Sequence, residues 1–246
     1  MRRHLATAVL TVAVAMLFLI GLIVVGRQFR GMLTNDPRYQ FPIRDIACST
    51  PPNKHRSEFL REVQYVGELP DEVPLFEANL PARLTDAFAR HPWVEKVEDV
   101  SVGPGRRIHV ELVFRTPVLA VRLNDEWRAV DAAGVLLPRE AAAAGLPRLT
   151  EDVSPARGAG QPWGHPSVAA AAKLAGFLHA DRKKVAVASM QKVANAWRLT
   201  LDGGATVIWG NPPGEEAMDE APAEKKRHFL LTNPANAAAL DLRNVH

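Results

Sequence analysis

A chain of 246 residues, 47% apolar and 23% charged, has the composition of an ordinary folded protein with room for one large domain or two small ones, which excludes disorder throughout. Lysine and arginine exceed aspartate and glutamate by only three, so the pI of 9.2 reflects a slight imbalance and not a surface built for phosphates; no nucleic-acid partner is expected. The single cysteine, Cys48, excludes an internal disulfide and any zinc site of the paired-cysteine kind.

Behind a short tail at 1–4, residues 5–26 carry no charge. In helical form about 22 such residues reach roughly 33 Å, enough to cross a bilayer core. A cleaved signal peptide has an apolar region of only about 7 to 15 residues and a small-residue cleavage site, so an uncleaved transmembrane anchor is the better reading. Arg2 and Arg3 on one side compete with Arg27, Arg30, Arg38 and Arg44 on the other. That balance weakly favours a cytoplasmic C-terminal domain, although long domains translocate regardless of charge.

Residues 27–39 form a polar linker without apolar periodicity, and 41–47 alternate well enough for a short strand, ended by Pro51 and Pro52. Ser57 offers an N-cap for a helix with Phe59, Leu60, Val63 and Val66 on one face, while the alternation of Val63 and Tyr65 keeps a strand open as the alternative. Asn79 offers a second cap, for a helix with Leu80, Leu84, Ala87 and Phe88 inward, and Pro92 stops it. The valines at 94, 97, 100 and 102 then supply a strand, Gly103-Pro104-Gly105 a reversal, and Ile108, Val110, Leu112 and Phe114 the inward row of a second strand whose wet row includes His109 and Glu111. The expected core of this strand, helix, helix, strand, strand module is Leu84, Phe88, Trp93, Leu112 and Phe114, with Trp93 read as packing rather than as an exposed anchor.

In the second half, 127–137 read as two short strands about the turn 131–134, and 158–166 as a loop in which His165 needs no role. Ser167 caps a helix to about 179 with Val168, Ala171, Ala172, Leu174, Ala175 and Leu178 inward. Strands follow at 185–190, 195–201 and 205–209, the last two joined by Asp202-Gly203-Gly204. An acidic loop at 211–222, a helix at 223–231 and a final strand at 238–245 complete a mostly antiparallel sheet with flanking helices. Lys225, Lys226 and Arg227 read as a solvated helix face, with anionic lipid or an acidic partner as the alternative. In the final strand Leu240 and Leu242 should point inward, and Asp241 and Arg243 outward along an edge with a free row of backbone groups, where a partner strand could add.

These pieces resemble the FtsQ/DivIB family of bacterial cell-division proteins. The resemblance is carried by His91-Pro92-Trp93-Val94 with Val97 and Val100, by Arg115-Thr116-Pro117-Val118, by Val130-Asp131-Ala132-Ala133-Gly134-Val135, by the run 205–210 and by Leu240-Asp241-Leu242-Arg243, in that order after an anchor. The family usually has a glutamate where Phe114 stands, and usually continues past the Asp-Leu-Arg motif with further strand. The resemblance implies an α+β protein: a transmembrane helix at 5–26, a POTRA domain at 40–123 and a β domain at 124–246. It implies a scaffold in the cytoplasmic (inner) membrane, with both domains on its outer side and FtsB- and FtsL-like membrane proteins as partners, engaged near Leu240, Asp241, Leu242 and Arg243.

Catalytic motifs do not emerge. None of the eight histidines belongs to a His-Glu-x-x-His pair, no serine occupies a nucleophile elbow, and Gly158-Ala159-Gly160 does not lead from a strand into a helix. Cys48 lacks the apolar neighbour a lipid-attachment site needs, since Asp45 stands there, and reads as a buried thiol. No enzyme, cofactor, metal or small-molecule substrate is expected. The rivals are a POTRA protein of envelope assembly or secretion, which would need a run of lipid-facing strands, and an envelope hydrolase, which would need convergent polar groups in a pocket.

Overall fold

The computed structural model describes residues 16–23, 36–153, 157–233 and 239–245. The tail 1–4 and most of the expected span 5–26 and linker 27–39 lie outside the described residues. Residues 16–23 are helical, with Met16, Leu17, Phe18, Leu19, Ile20, Leu22 and Ile23 exposed. Among the described residues no helix is long and apolar enough to cross a membrane. The chain divides into two compact units, one of Met1–His91 and Lys96–Leu112, the other of Pro92–Glu95 and Val113–His246.

The first unit opens with β1 (Gln40–Pro42) and β2 (Ala47–Cys48), split by a 3-10 turn at Ile43–Asp45 where the sequence predicts one strand over 41–47. Pro42 has no N–H with which to continue a ladder, so β1 pairs only with β3 (Glu72–Pro74) while β2 pairs in parallel with β5 (Arg107–Phe114). Of the two readings left open near Ser57, the helix is found: α1 (Arg56–Val66) buries Phe59, Leu60 and Val63 and leaves Tyr65 exposed. Its N-cap is His55 and not Ser57, and α2 (Leu80–Ala89) starts at Asn79 without a side-chain capping bond, helped by Pro81 in its first turn. Leu80, Leu84, Ala87 and Phe88 of α2 are buried, and the Phe59 and Phe88 rings lie 6.0 Å apart. Gly67 ends α1 so close to α2 that a Cβ there would sit 2.5 Å from that of Ala87.

The hairpin of β4 (Val94–Gly103) and β5 (Arg107–Phe114) completes a sheet in the order β2-β5-β4. Its turn holds Gly105 and Arg106 at positive φ, which the glycine admits without strain. Ile108 and Val110 are buried as the alternation requires, and His109 and Glu111 are exposed. Leu112 and Phe114, expected inside, are only half-buried. The two-residue β2 covers β5 at His109 and Val110 and no further. Phe114 instead packs on a second-unit cluster of Trp93, Ala129, Leu137 and Ala141, so the expected single core of Leu84, Phe88, Trp93, Leu112 and Phe114 is divided between the units.

The second unit is built on a seven-stranded sheet in the order β12-β11-β10-β9-β8-β6-β7. The strands are β6 (Leu119–Leu123), β7 (Glu126–Val130), β8 (Arg148–Leu149), β9 (Val187–Val193), β10 (Ala196–Leu201), β11 (Thr206–Gly210) and β12 (Ala239–Asp241). The sheet is mostly antiparallel, as expected, but not purely so: the three long ladders are antiparallel, and β12, β8 and their neighbours add three short parallel ones. The second strand expected within 127–137 is reduced to isolated bridges from Leu136 to Val130 and from Val135 to Pro162. Asp131 explains this, because its Oδ1 accepts the N–H groups of Ala133 and Val135 at 3.0 and 2.8 Å and curls the backbone into a turn. Helix α3 (Pro166–Leu178) lays Val168, Ala171, Ala172 and Leu174 in one core with Leu119, Val121, Met190 and Leu199. Its cap is His165, to whose Nδ1 the Ser167 N–H donates at 3.3 Å, which gives His165 a role the sequence reading denied it. Helix α4 (Ala223–Thr232) stands between β11 and β12 in the chain.

Candidate functional site

The sheet ends at β12, which pairs in parallel with β11 through Thr206↔Ala239, Val207↔Leu240 and Ile208↔Asp241. The strand is shorter than the expected 238–245: after Asp241 the Leu242 N–H still donates to Ile208 O at 2.8 Å, and the chain then turns at Arg243. Leu242 is fully buried and Leu240 partly so, both against the core, while Asp241 and Arg243 are exposed. The alternation is as the sequence implied. β12 has a neighbour on one side only, so among the described residues its outer N–H and C=O groups face no strand.

Asp241 and Arg243 satisfy each other. Arg243 Nη2 donates to Asp241 Oδ2 at 2.6 Å, Nε to both carboxylate oxygens at 3.0 and 3.1 Å, and the Arg243 N–H to Oδ1 at 3.0 Å. These bonds from Arg243 outweigh partial burial and hold Asp241 below its ordinary carboxylate range. Nη1 of Arg243 keeps no partner among the described residues and stays open to an acceptor.

Arg243 is seated by the loop in front of α4. Its C=O accepts the Ala221 N–H at 2.7 Å, and Gly210, at φ +94, passes beneath with no room for a Cβ, which would meet Glu220 Oε1 at 1.8 Å and Arg243 Cγ at 3.0 Å. Glu220 is the hub of this loop. It accepts from Asn211 N–H at 2.7 Å, Asn211 Nδ2 at 2.8 Å and Ala217 N–H at 3.1 Å, and from the ammonium of Lys226. Burial pushes the Glu220 carboxyl up, but the bonds from Lys226, Ala217 and Asn211 pull it down and prevail.

Lys226 corrects the expectation of a solvated basic face, for its side chain is fully buried, ion-paired to Glu220 and 5.4 Å from the centre of the Trp209 ring. Arg227 beside it pairs with Asp181 at 2.6 Å, and only Lys225 of the three is fully solvated. A period of 3.6 puts Lys226 on the same face as Leu230, a signal in the sequence that the basic run obscured. Beside the chain end lies a polar groove of about 440 Å³, walled by Ala194, Asn195, Asn211, Asp219, Glu220 and Arg243.

Away from this edge, Trp93 is buried and donates from Nε1 toward Glu140 at 3.4 Å. Cys48 is half-buried, and burial raises its thiol to about 11. No cluster of histidine, cysteine, aspartate or glutamate able to hold a metal occurs among the described residues.

Arg115 Nη1 reaches Asp131 Oδ2 at 2.6 Å, which ties two of the short motifs noted in the sequence into one buried ion pair. No curated protein matches the chain. A family model described as Cell division protein FtsQ/DivIB, C-terminal, matches residues 120–243, a segment that starts within β6 and closes on Arg243. With half of its length in that match, including the whole of the chain-end edge to Arg243, the chain belongs to the FtsQ/DivIB family of cell-division proteins.

Proposed function

We propose that the chain is a non-enzymatic scaffold of the division complex, anchored in the cytoplasmic membrane by residues 5–26, with its folded units on the outer side, where it gathers FtsB- and FtsL-like membrane proteins. The first unit serves as a POTRA domain, a reading supported by its order of β2, α1, α2, β4 and β5, with the short β3 between the helices, and by the sheet order β2-β5-β4. The observation that carries the partner-binding reading is the half-paired β12. A partner strand added to its outer edge gains main-chain hydrogen bonds, and Arg243 beside that edge selects an acidic side chain through its open Nη1.

Charge reversal at Arg243 tests this. Arg243→Glu faces Asp241, with Asp219 and Glu220 nearby, but at an exposed position that should leave the fold intact. The full-length variant should lose its partners in pull-downs from membranes and fail to complement a deletion. A folded variant that captures partners and complements normally refutes the edge proposal. A reporter fused after His246 tests the topology, and activity in the cytoplasm would refute it.

A further inference from the structure

A second opening in the same unit shares no residue with the chain-end groove. Where α3 ends, a cavity of about 280 Å³ leads from solvent to Val118, Ala175, Leu178 and Met190, all buried members of the core, with Leu146 at its mouth. An apolar cavity of ~150 Å³ already takes a benzene ring, so this one accommodates a large apolar side chain. Its rim is basic. Arg182 and Lys183 line it and Lys184 follows, all three exposed, and among the described residues none pairs with a carboxylate. In the same unit Lys173, Lys226, Arg227 and Arg243 each have an acidic partner, whereas these three, like Lys192, Arg198 and Lys225, have none among the described residues. Arg182 Nη1 donates to His179 Nε2 at 2.8 Å, and burial together with the Arg182 charge lowers the His179 pKa, so the imidazole orients the guanidinium without neutralising it. Asp202 is the one carboxylate at the rim.

An apolar socket with two unpaired cations on its rim matches the anatomy of an interface anchor, a buried side chain beside complementary charge. We infer that this cavity docks an acidic segment of a partner protein, which inserts one bulky apolar side chain between Leu146 and α3 while its carboxylates meet Arg182 and Lys183. The inference rests on the scaffold reading but not on the β12 edge.

The test uses the full-length chain and a fluorescein-labelled pentapeptide with phenylalanine between two pairs of glutamates, followed by fluorescence polarisation. Replacing the phenylalanine by alanine, or the glutamates by lysines, should weaken binding at least about tenfold, the usual loss on removing an anchor or its charge match. Arg182→Glu with Lys183→Glu should do the same, and Arg182→Gln with Lys183→Gln should weaken binding less without any new charge; both pairs change exposed side chains, and unfolding curves matching the parent verify the fold. Leu146→Trp, which fills the mouth, should abolish binding. Arg243→Glu should leave it unchanged, so that failure of the edge reading and failure of this one are told apart. Equal binding of the alanine or lysine peptide, indifference to the rim and mouth variants, loss through Arg243→Glu, or absence of saturable binding would each overturn the inference. Displacement of the peptide by 4-phenylbutyrate at equal affinity would overturn it too, by assigning the cavity to a small aryl carboxylate.

Discussion

Removing the Glu220 carboxylate is the most informative single change in the second unit. Lys226 is fully buried, and Glu220 is the only carboxylate that pairs with it among the described residues. In Glu220→Ala the ammonium must stay buried without a counter-charge or shed its proton, and the Asn211 and Ala217 N–H groups lose their acceptor. Breaking a buried pair from one side costs about 3 to 5 kcal/mol. Lys226→Met should cost less, about 1 to 3 kcal/mol, because it removes the buried ammonium while Glu220 keeps three N–H donors. The double variant Glu220→Ala with Lys226→Met should then be markedly less destabilised than the sum of its singles, with coupling of about 1 kcal/mol or more. Urea unfolding of the four proteins, followed by tryptophan fluorescence, measures this directly. Additive free energies within about 0.5 kcal/mol would refute the picture of one coupled buried unit.

The acid limb of stability should follow the same carboxylate. The folded pKa of Glu220 lies below the ordinary 4.5, so the unfolded chain binds the extra proton, the stabilisation is full above that value, and it drains away as pH falls through the folded pKa; Glu220→Gln should flatten the limb in unfolding measured between pH 5 and 2.5. In the first unit, Phe88→Ala should destabilise by about 3 to 5 kcal/mol and Glu111→Gln by under about 0.5 kcal/mol, since the ring is fully buried and the carboxylate exposed; equal shifts in thermal unfolding would contradict that assignment. Cys48, with its thiol near 11, should react sluggishly with iodoacetamide at pH 7.5, with a rate still climbing beyond pH 9.5; a plateau near pH 8.5 would place it in an ordinary environment.

Period and punctuation carried most of the architecture. Alternation found β5 and the β12 edge, the 3.6 period found α1, α2 and α3, and Gly103-Pro104-Gly105 and Asp202-Gly203-Gly204 marked both reversals. What escaped was side chains standing in for backbone. His165 caps a helix where Ser167 was the obvious candidate, and Asp131 tightens the expected turn by taking the Ala133 and Val135 N–H groups, so that the strand expected after it is reduced to isolated bridges. Leu112 and Phe114 escaped for another reason. Alternation names the face a residue lies on, but whether that face is covered depends on the length of the neighbouring strand, and β2 stops after two residues.

The candidate edge shows where a one-dimensional reading ends. Leu240, Asp241, Leu242 and Arg243 could be placed from alternation alone, yet nothing in that pattern says what keeps so short a terminal strand in place. The structure supplies the cause from elsewhere in the chain. Lys226 holds Glu220, Glu220 gathers Asn211 and Ala217, and Ala221 in the same loop donates to the carbonyl of Arg243, so a buried ion pair near Trp209 positions Arg243, the residue we propose for partner contact. A hydrophobic staple would stabilise the loop at lower cost, because desolvating two charges is repaid only when every donor and acceptor is matched. What the ion pair adds is direction. A carboxylate with four donors fixes the loop in one register, and with it the seat of Arg243, which is the property a strand-adding surface needs if its partner's charge is to meet the guanidinium rather than slide past it.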